Sequence, residues 1–433
     1  MKGVLIAAPS SGSGKTVITL ALLRALKRAG HIVGSVKIGP DYIDPGFHFL
    51  ASNGACLNID GWAMRPDTRV GQVTRIAESA DLVIAEGVLG LFDGAADGSG
   101  SSADLAAELG LPIILIVDVS GQSASAAAVV AGFNAFRNDI KIAGVIFNRV
   151  GSVRHEQMLR QAMASVAIPI VGCLPRDETL ALDSRHLGLV QAGELGDLEK
   201  QIDAAATLVN EAIDLDGLIS LSAPVQITAA TVTPPLPPIG QNIAVASDTA
   251  FSFCYRHIIK GWQKVGVSIS TFSPLTDEAP PVDCDAIYLP GGYPELHAAK
   301  IASNEKFMSG LRQAAERNAI IYGECGGFMV LGQSLTDRDG ISHAMAGLLP
   351  IETSFASPKL HLGYRKIALL VDGPLGKMGT EYRGHEFHYS TQTAGAGDFL
   401  FYARDALDEE LGPLGCRQGN VMGSYIHLID IVD

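Results

Sequence analysis

An apolar run, Val4-Leu5-Ile6-Ala7-Ala8, leads into Pro9-Ser10-Ser11-Gly12-Ser13-Gly14-Lys15-Thr16, and a helical pattern follows over Val17–Ala29. A glycine-rich loop between a strand and a helix turns backbone N–H groups toward an anion, and the helix N-terminus adds partial positive charge. In that setting Gly12 and Gly14 let the backbone approach phosphates. Lys15 reaches the terminal phosphates of a nucleotide, and the Thr16 hydroxyl can ligate Mg²⁺. The common pattern begins with glycine where this chain has Pro9, so the loop is a variant. The plain alternative is a flexible Ser/Gly turn with a surface lysine. The correct flanking elements disfavour it.

Continuous apolar runs at Ile32–Ile38, Asp81–Ala85, Pro112–Asp118, Ala143–Asn148 and Ile168–Leu174 read as buried strands of a parallel sheet. Helical stretches at Ala103–Leu109, Ser123–Phe136 and His155–Ala164 lie between them. The alternation predicts a doubly wound α/β domain whose ligands sit at the carboxyl ends of the strands. Polar groups collect at those ends: Lys37 to Gly46, with Asp41, Tyr42 and Asp44; Glu86 to Gly94, with Asp93; Asp118; and Asn148-Arg149. Carboxylates beside a phosphate loop suit a Mg·nucleotide site. Asp41, Asp44 and Asp93 each stand near Pro or Gly, where capping a turn is the bland explanation.

At 433 residues the chain has room for two or three domains at roughly 150 residues each. Helical patterning returns at Leu195–Leu215, and the proline-rich stretch Thr231–Gly240 then marks a semi-rigid linker. This divides the chain into 1–230, a linker at 231–241, and 242–433. The net charge of -14 argues against nucleic acid and acidic membranes as partners. The six cysteines have no metal-site or redox spacing, which fits a reduced, cytoplasmic setting. The apolar run after Met1 is too short for a targeting segment and leads straight into the loop. No apolar stretch is long enough to cross a bilayer.

The second half starts again with a strand, Asn242–Ala246, then a helix at Cys254–Val265 and a strand at Val267–Thr271. Ala286–Leu289 runs into Pro290-Gly291-Gly292-Tyr293, and Ala319–Tyr322 into Gly323-Glu324-Cys325-Gly326-Gly327. Small residues around a nucleophile at a strand-to-helix turn form an elbow that lifts the side chain clear of the backbone. The helix N-terminus there predicts a lowered Cys325 pKa. With His427 near the end of the chain, Cys325 makes a nucleophile–base pair. Backbone N–H groups of Gly326 and of Gly291 or Gly292 could form an oxyanion hole, each donor typically worth roughly 2.7–4 kcal/mol. A buried structural cysteine and a satisfied histidine are the competing readings of the two side chains.

Residues Cys325 to His427 resemble the class I glutamine amidotransferases of cobyric and cobyrinic acid amidation. The first half resembles dethiobiotin synthetase-like ATP enzymes. The whole chain is similar to the cobyrinic acid a,c-diamide synthase family, and the likeness rests on several stretches. They are Ala7–Thr16, Val36–His48, Glu86–Gly94, Arg185–Leu189, Leu289–Glu295 and Gly384-His385-Glu386-Phe387-His388-Tyr389-Ser390. The resemblance implies two α/β domains, one nucleotide-binding and one a class I glutaminase. It implies amidation of the a and c carboxylates of cobyrinic or hydrogenobyrinic acid through an acyl phosphate, with ammonia released from glutamine at Cys325. Lys15 would stabilise the transferring phosphoryl group. Thr16, Asp41 and Glu86 would form the metal shell. Tyr42, Asp44 and Asp93 would line the corrinoid and acyl-phosphate pocket, and Asn148 would read adenine. The expected partners are small molecules: ATP with Mg²⁺, glutamine and a corrinoid carboxylate. A homodimer is compatible with the sequence but not demanded by it. A cobyric acid synthase-like amide ligase and a partner-binding ATPase switch are the alternatives. The Cys325–His427 half weighs against the switch. Many class I glutaminases carry an acid two residues after the histidine. Here that position is Ile429, with Asp430 beside it, so the pair lacks the usual third member, and a backbone carbonyl or the interface with the N-terminal domain is expected to orient His427.

Overall fold

The computed structural model describes residues 1–177, 180, 184–185, 188–189, 197–227, 233–395 and 397–432. They fall into two compact units, Met1–Trp62 with Arg69–Thr231, and Ala63–Thr68 with Val232–Asp433. Of the Arg185–Leu189 stretch, His186 and Leu187 lie outside the described residues.

The first unit is built on parallel strands β1 (Lys2–Ala7), β2 (Val33–Ile38), β3 (Cys56–Ile59), β4 (Leu82–Glu86), β5 (Ile113–Asp118), β6 (Ile142–Val150) and β7 (Ile170–Pro175). Their order is β3-β2-β4-β1-β5-β6-β7. Every residue of β2 and β4 is buried, as a parallel sheet covered on both faces requires. The phosphate loop leaves β1 between β4 and β5, in the middle of the sheet. It enters α1 (Lys15–Arg28), which buries Ile18, Leu22 and Leu26 and ends on Lys27 and Arg28, cations that suit a helix C-terminus. The sequence misses α2 (Asp44–Ser52) and β3. Pro45 and Gly46 look like a turn, but proline is well accommodated in a first helical turn.

The second unit holds a sheet ordered Ser268–Phe272, Asn242–Ala246, Ala286–Leu289, Ile320–Glu324, Val421–Ser424, Cys416–Gln418. All its pairings are parallel except the last. Beside it the chain forms a five-stranded antiparallel sheet absent from the sequence reading: Glu410–Leu414, Phe401–Asp405, His361–Leu369, Glu381–His388 and His427–Ile431. The proline stretch is not a free linker where it is described. Leu236 and Ile239 are buried, the Leu236 carbonyl accepts from the Trp262 indole N–H at 3.1 Å, and the Pro235 carbonyl accepts from Ile431 N at 2.9 Å. Among the described residues no helix is long and apolar enough to cross a membrane.

Candidate functional site

In the first unit, strand register assembles the site. Glu86 at the end of β4 lies opposite Lys37 of β2 on one side and Ile6 of β1 on the other, just before the phosphate loop. Asp44 and His48 are four apart on α2 and so share a face. The side chains meet. Glu86 Oε1 accepts from Thr16 Oγ1 at 2.6 Å and from Lys37 Nζ at 2.7 Å, and Glu86 Oε2 lies 2.7 Å from His48 Nε2. Asp44 Oδ2 stands 2.6 Å from Lys37 Nζ and 3.5 Å from Thr16 Oγ1. Lys15 Nζ donates to the Leu89 carbonyl at 2.5 Å and the Ser10 carbonyl at 3.3 Å.

Charge within this cluster sets its protonation. Burial opposes the charged form of Glu86, but Lys37 and His48 overcome it and hold Glu86 well below the usual carboxylate range. Burial also opposes the charge on Lys37, and Asp44 and Glu86 reverse that, raising its pKa. His48 rises to about 10, with burial outweighed by Cys56 and Glu86. Asp44 is pushed up to about 7, first by burial and then by the negative charge of Asp41. Lys15 falls to about 8, through burial and then the nearby Lys37.

The predicted residues distribute unevenly. Thr16, Lys15, Glu86 and Asp44 come together. Asp41, expected in the metal shell, uses Oδ1 to accept from the backbone N–H groups of Ile43 and Asp44 at 2.9 Å each, as a turn cap does. Asp44, expected toward the corrinoid, takes the place beside Thr16. Asp93 is exposed and caps the Gly90 N–H at 2.8 Å, though its charge still acts on Lys15. Tyr42 is half-buried. Asn148, expected at adenine, holds the loop from below: its Nδ2 donates to the Ser13 carbonyl at 2.9 Å, and its Oδ1 accepts from Arg149 N at 2.9 Å. Gly12 and Gly14 both take positive φ. At Gly14 a Cβ would stand 2.4 Å from Asn148 Nδ2, so only glycine fits. The roles of Lys37 and His48 escape the sequence. Their signals are the strand-end position of Lys37 and the four-residue step from Asp44 to His48. Thr16, Asp44 and Glu86 form a set of hard oxygen donors of the kind Mg²⁺ takes.

In the second unit Ile320–Glu324 ends at Cys325, whose φ of 47° and ψ of -105° put a non-glycine residue in a strained elbow. Cys325 N donates to the Ser424 carbonyl at 2.8 Å. His427 reaches the same place from the antiparallel sheet. A Cβ on Gly291 would lie 3.1 Å from Cys325 Cβ, 2.4 Å from His427 Cε1 and 3.0 Å from His427 Nε2. Gly291 therefore lies between Cys325 and His427 with no room for a side chain. A Cβ on Gly326 would lie 3.1 Å from Gly292 N, which brings these two backbone positions together beside the elbow.

The expected lowering of the Cys325 pKa is not what the structure gives. Burial, and then the charge of Glu295, push the thiol up, and the Gly326 N–H offsets them only in part. The helix that follows, Gly326–Leu331, is short, so its N-terminus has little leverage. His427 falls to about 3 through burial and the neighbouring His385 and His388. Both groups are therefore neutral in this state. Ile429 is buried and its carbonyl accepts from His257 Nε2 at 2.8 Å. Asp430 is committed to Arg65, accepting from its backbone N at 2.8 Å and from Nη2 at 2.9 Å. Neither can orient His427.

The Gly384–Ser390 stretch surrounds this centre. His385 pairs with His427 across the two strands. Glu386 accepts from Arg365 Nε at 2.7 Å and lies 2.9 Å from His388 Nε2. Burial opposes its charge, but His388 and Arg365 bring it down to about 2. The His388 ring stacks on Tyr425 at 3.9 Å. Ligand atoms of His361, Glu386 and His388 lie within 4.8 Å of one another. Arg365 and the bond between Glu386 and His388 already account for that cluster.

Residues 4–190 match the CobQ/CobB/MinD/ParA nucleotide binding domain family, and residues 242–430 match the CobB/CobQ-like glutamine amidotransferase domain family. The chain is 54% identical over 433 residues to the hydrogenobyrinate a,c-diamide synthase of Brucella anthropi, covering 99% of each. The chain belongs to the hydrogenobyrinate a,c-diamide synthase family. Members from a Sinorhizobium species and from Rhizobium meliloti are 52% and 50% identical, each matched over 99% of its length. The two domain matches fall on the two clusters described above, one for nucleotide and one for glutamine.

Proposed function

We propose that this chain is a cytoplasmic ligase that amidates the a and c carboxylates of hydrogenobyrinate, using ATP and glutamine. What carries the reading is one chain holding both a buried cationic–anionic phosphate site and an elbow cysteine beside a histidine. We assign 1–230 to synthesis and 242–433 to ammonia release, with 231–241 between them.

The chemistry follows from the residues. A substrate carboxylate oxygen attacks the γ-phosphorus of ATP, ADP leaves, and an acyl phosphate forms. Lys15 and the loop N–H groups stabilise the transferring charge. Lys15 leaves the Leu89 and Ser10 carbonyls to do so. Mg²⁺, when bound, neutralises charge on the phosphates, and Thr16, Asp44 and Glu86 would hold it. Lys37 and His48 keep Glu86 ionised and fixed. At the elbow the Cys325 proton passes to His427, sulfur attacks the side-chain amide carbon of glutamine, and the N–H groups of Gly326 and Gly292 receive the oxyanion. His427 returns the proton to the leaving nitrogen, and ammonia departs. Water cleaves the thioester to glutamate. Ammonia attacks the acyl phosphate and displaces phosphate, leaving the amide.

The test is incubation with ATP, glutamine and hydrogenobyrinate, with the diamide and its positions read by mass spectrometry and NMR. Cobyrinate runs in parallel as the cobalt-containing competitor. Formation of no amide on either acid would reject the reading.

A further inference from the structure

His427 has no acid two residues on, yet a carboxylate stands beside its ring. Glu324, the residue before the nucleophile, ends the strand Ile320–Glu324 and is 1% exposed. Its Oε1 accepts from Tyr322 OH at 3.1 Å and from Leu428 N at 3.1 Å. Its Oε2 accepts from Tyr288 OH at 2.7 Å and stands 3.7 Å from His427 Nδ1. The other ring nitrogen, Nε2, lies on the Gly291 side, where Cys325 Cβ also lies. The imidazole is thus placed with one nitrogen toward the nucleophile and the other toward a carboxylate.

We propose that Glu324 is the third member of this catalytic centre, a positioning residue that fixes the ring of His427 and balances its charge. The nucleophile and its orienting acid are then adjacent in sequence, and the acid reaches the histidine from the nucleophile's own strand. The bond to Leu428 N holds the backbone next to His427, so one carboxylate steadies both the ring and its chain. At 3.7 Å the Nδ1–Oε2 approach is longer than a hydrogen bond. Such contacts often tighten only when substrate is bound. The proton balance is simple. Cys325 gives its proton to Nε2, and Nδ1–H stays on the ring and donates to Glu324. The imidazolium charge is met by the carboxylate until the proton leaves with ammonia. Glu324 itself exchanges no proton, as in a serine–histidine–aspartate triad.

The inference rests on the amidotransferase reading, and the test separates the two. The whole enzyme is assayed for amide formation with glutamine and, separately, with ammonium chloride as nitrogen source. Glu324→Gln should lower the glutamine kcat by about 10²–10⁴-fold, the scale of a mispositioned general base. The glutamine KM and the ammonium-driven rate should stay within about twofold, since neither needs the imidazole. Glu324→Asp should recover at least about tenfold of the loss, since it keeps the charge. If Glu324→Gln does not fold, Tyr288→Phe decides. Removing its 2.7 Å bond should lower the glutamine kcat about 3–10-fold with KM unmoved. An unchanged glutamine kcat in the folded variant, or a parallel loss of glutamine- and ammonium-driven rates, overturns the assignment. Retained glutamine use in Cys325→Ser would instead overturn the amidotransferase reading itself.

Discussion

Two glutamates end parallel strands in this molecule, and both are almost fully buried. Glu86 at the end of β4 has three partners at 2.6 to 2.7 Å, two of them basic side chains, Lys37 and His48. Glu324 at the end of Ile320–Glu324 takes hydrogen bonds from two phenols and a backbone amide, all neutral. Burial raises the pKa of each. Lys37 and His48 reverse that for Glu86, whereas Glu324 is left at about 7. The same residue at the same place in a sheet therefore stands as a fixed anion in one unit and near its titration point in the other. The difference matches the tasks. In the proposed function, a site for the phosphates of ATP needs its charges standing before the ligand arrives. Cys325, the proposed nucleophile, is held neutral by burial.

The widest break in the comparison should come from the nucleophile. Cys325→Ser is expected to lower glutamine-driven amidation by roughly 10⁴-fold or more while ammonium-driven amidation continues. Lys15→Ala should fail with both nitrogen sources, by about 10³-fold, because phosphoryl transfer precedes either. Paired rate measurements with the two nitrogen sources check both. Normal amidation by Lys15→Ala would detach the phosphate loop from the reaction.

Stability should separate the two glutamates next. Glu86→Gln leaves buried cations facing an uncharged amide and should cost about 3–5 kcal/mol. Glu324→Gln keeps an acceptor for neutral donors and should cost about 1 kcal/mol. Denaturant unfolding of both variants without ATP gives the ranking, and equal losses would erase the contrast.

The smallest effect is a slope against pH. The folded pKa of Glu324, about 7, lies above the ordinary carboxylate value. The folded state therefore binds more protons at this site than the unfolded chain does. Its contribution to stability falls as pH rises from the ordinary carboxylate range to about 7, then levels. Glu86 has the opposite sign, and its contribution is lost only as pH falls below the ordinary range. Unfolding from pH 5 to 8 should show Glu324→Gln gaining on wild type with rising pH and Glu86→Gln showing no such gain.

Much of this was legible in the residues. Asn242–Ala246 matches its strand, and the first-half strands agree within about two residues at most ends, because buried parallel strands are continuous apolar runs. The loop and the elbow are equally plain, since glycine spacing states backbone geometry directly. The antiparallel sheet was not. Glu381-Tyr382-Arg383-Gly384-His385-Glu386-Phe387-His388 carries polar side chains on both faces, and His385, Glu386 and His388 all act on the charge of His427, so no clean alternation marks the strand. Partner identity was also hidden. Asp41 and Asp44 are three apart and chemically alike, and only the start of α2 decides that one caps its backbone while the other meets Lys37. Glu324 looked like part of a turn because its partner Tyr288 is distant in sequence.

The pairing of Lys37 with Glu86 across β2 and β4 has a consequence for assembly of the protein. Side chains alternate along a strand, so a one-residue slip of β2 would send Lys37 to the opposite face of the sheet. There it would meet no carboxylate from β4, Asp44 would lose its cation, and Glu86 would lose one of its two basic partners. Misregistered chains would carry several kcal/mol of unbalanced charge in their interior. The residues that prepare the phosphate site thus also act as a proofreading key for the sheet, rejecting the wrong alignment before any substrate is present.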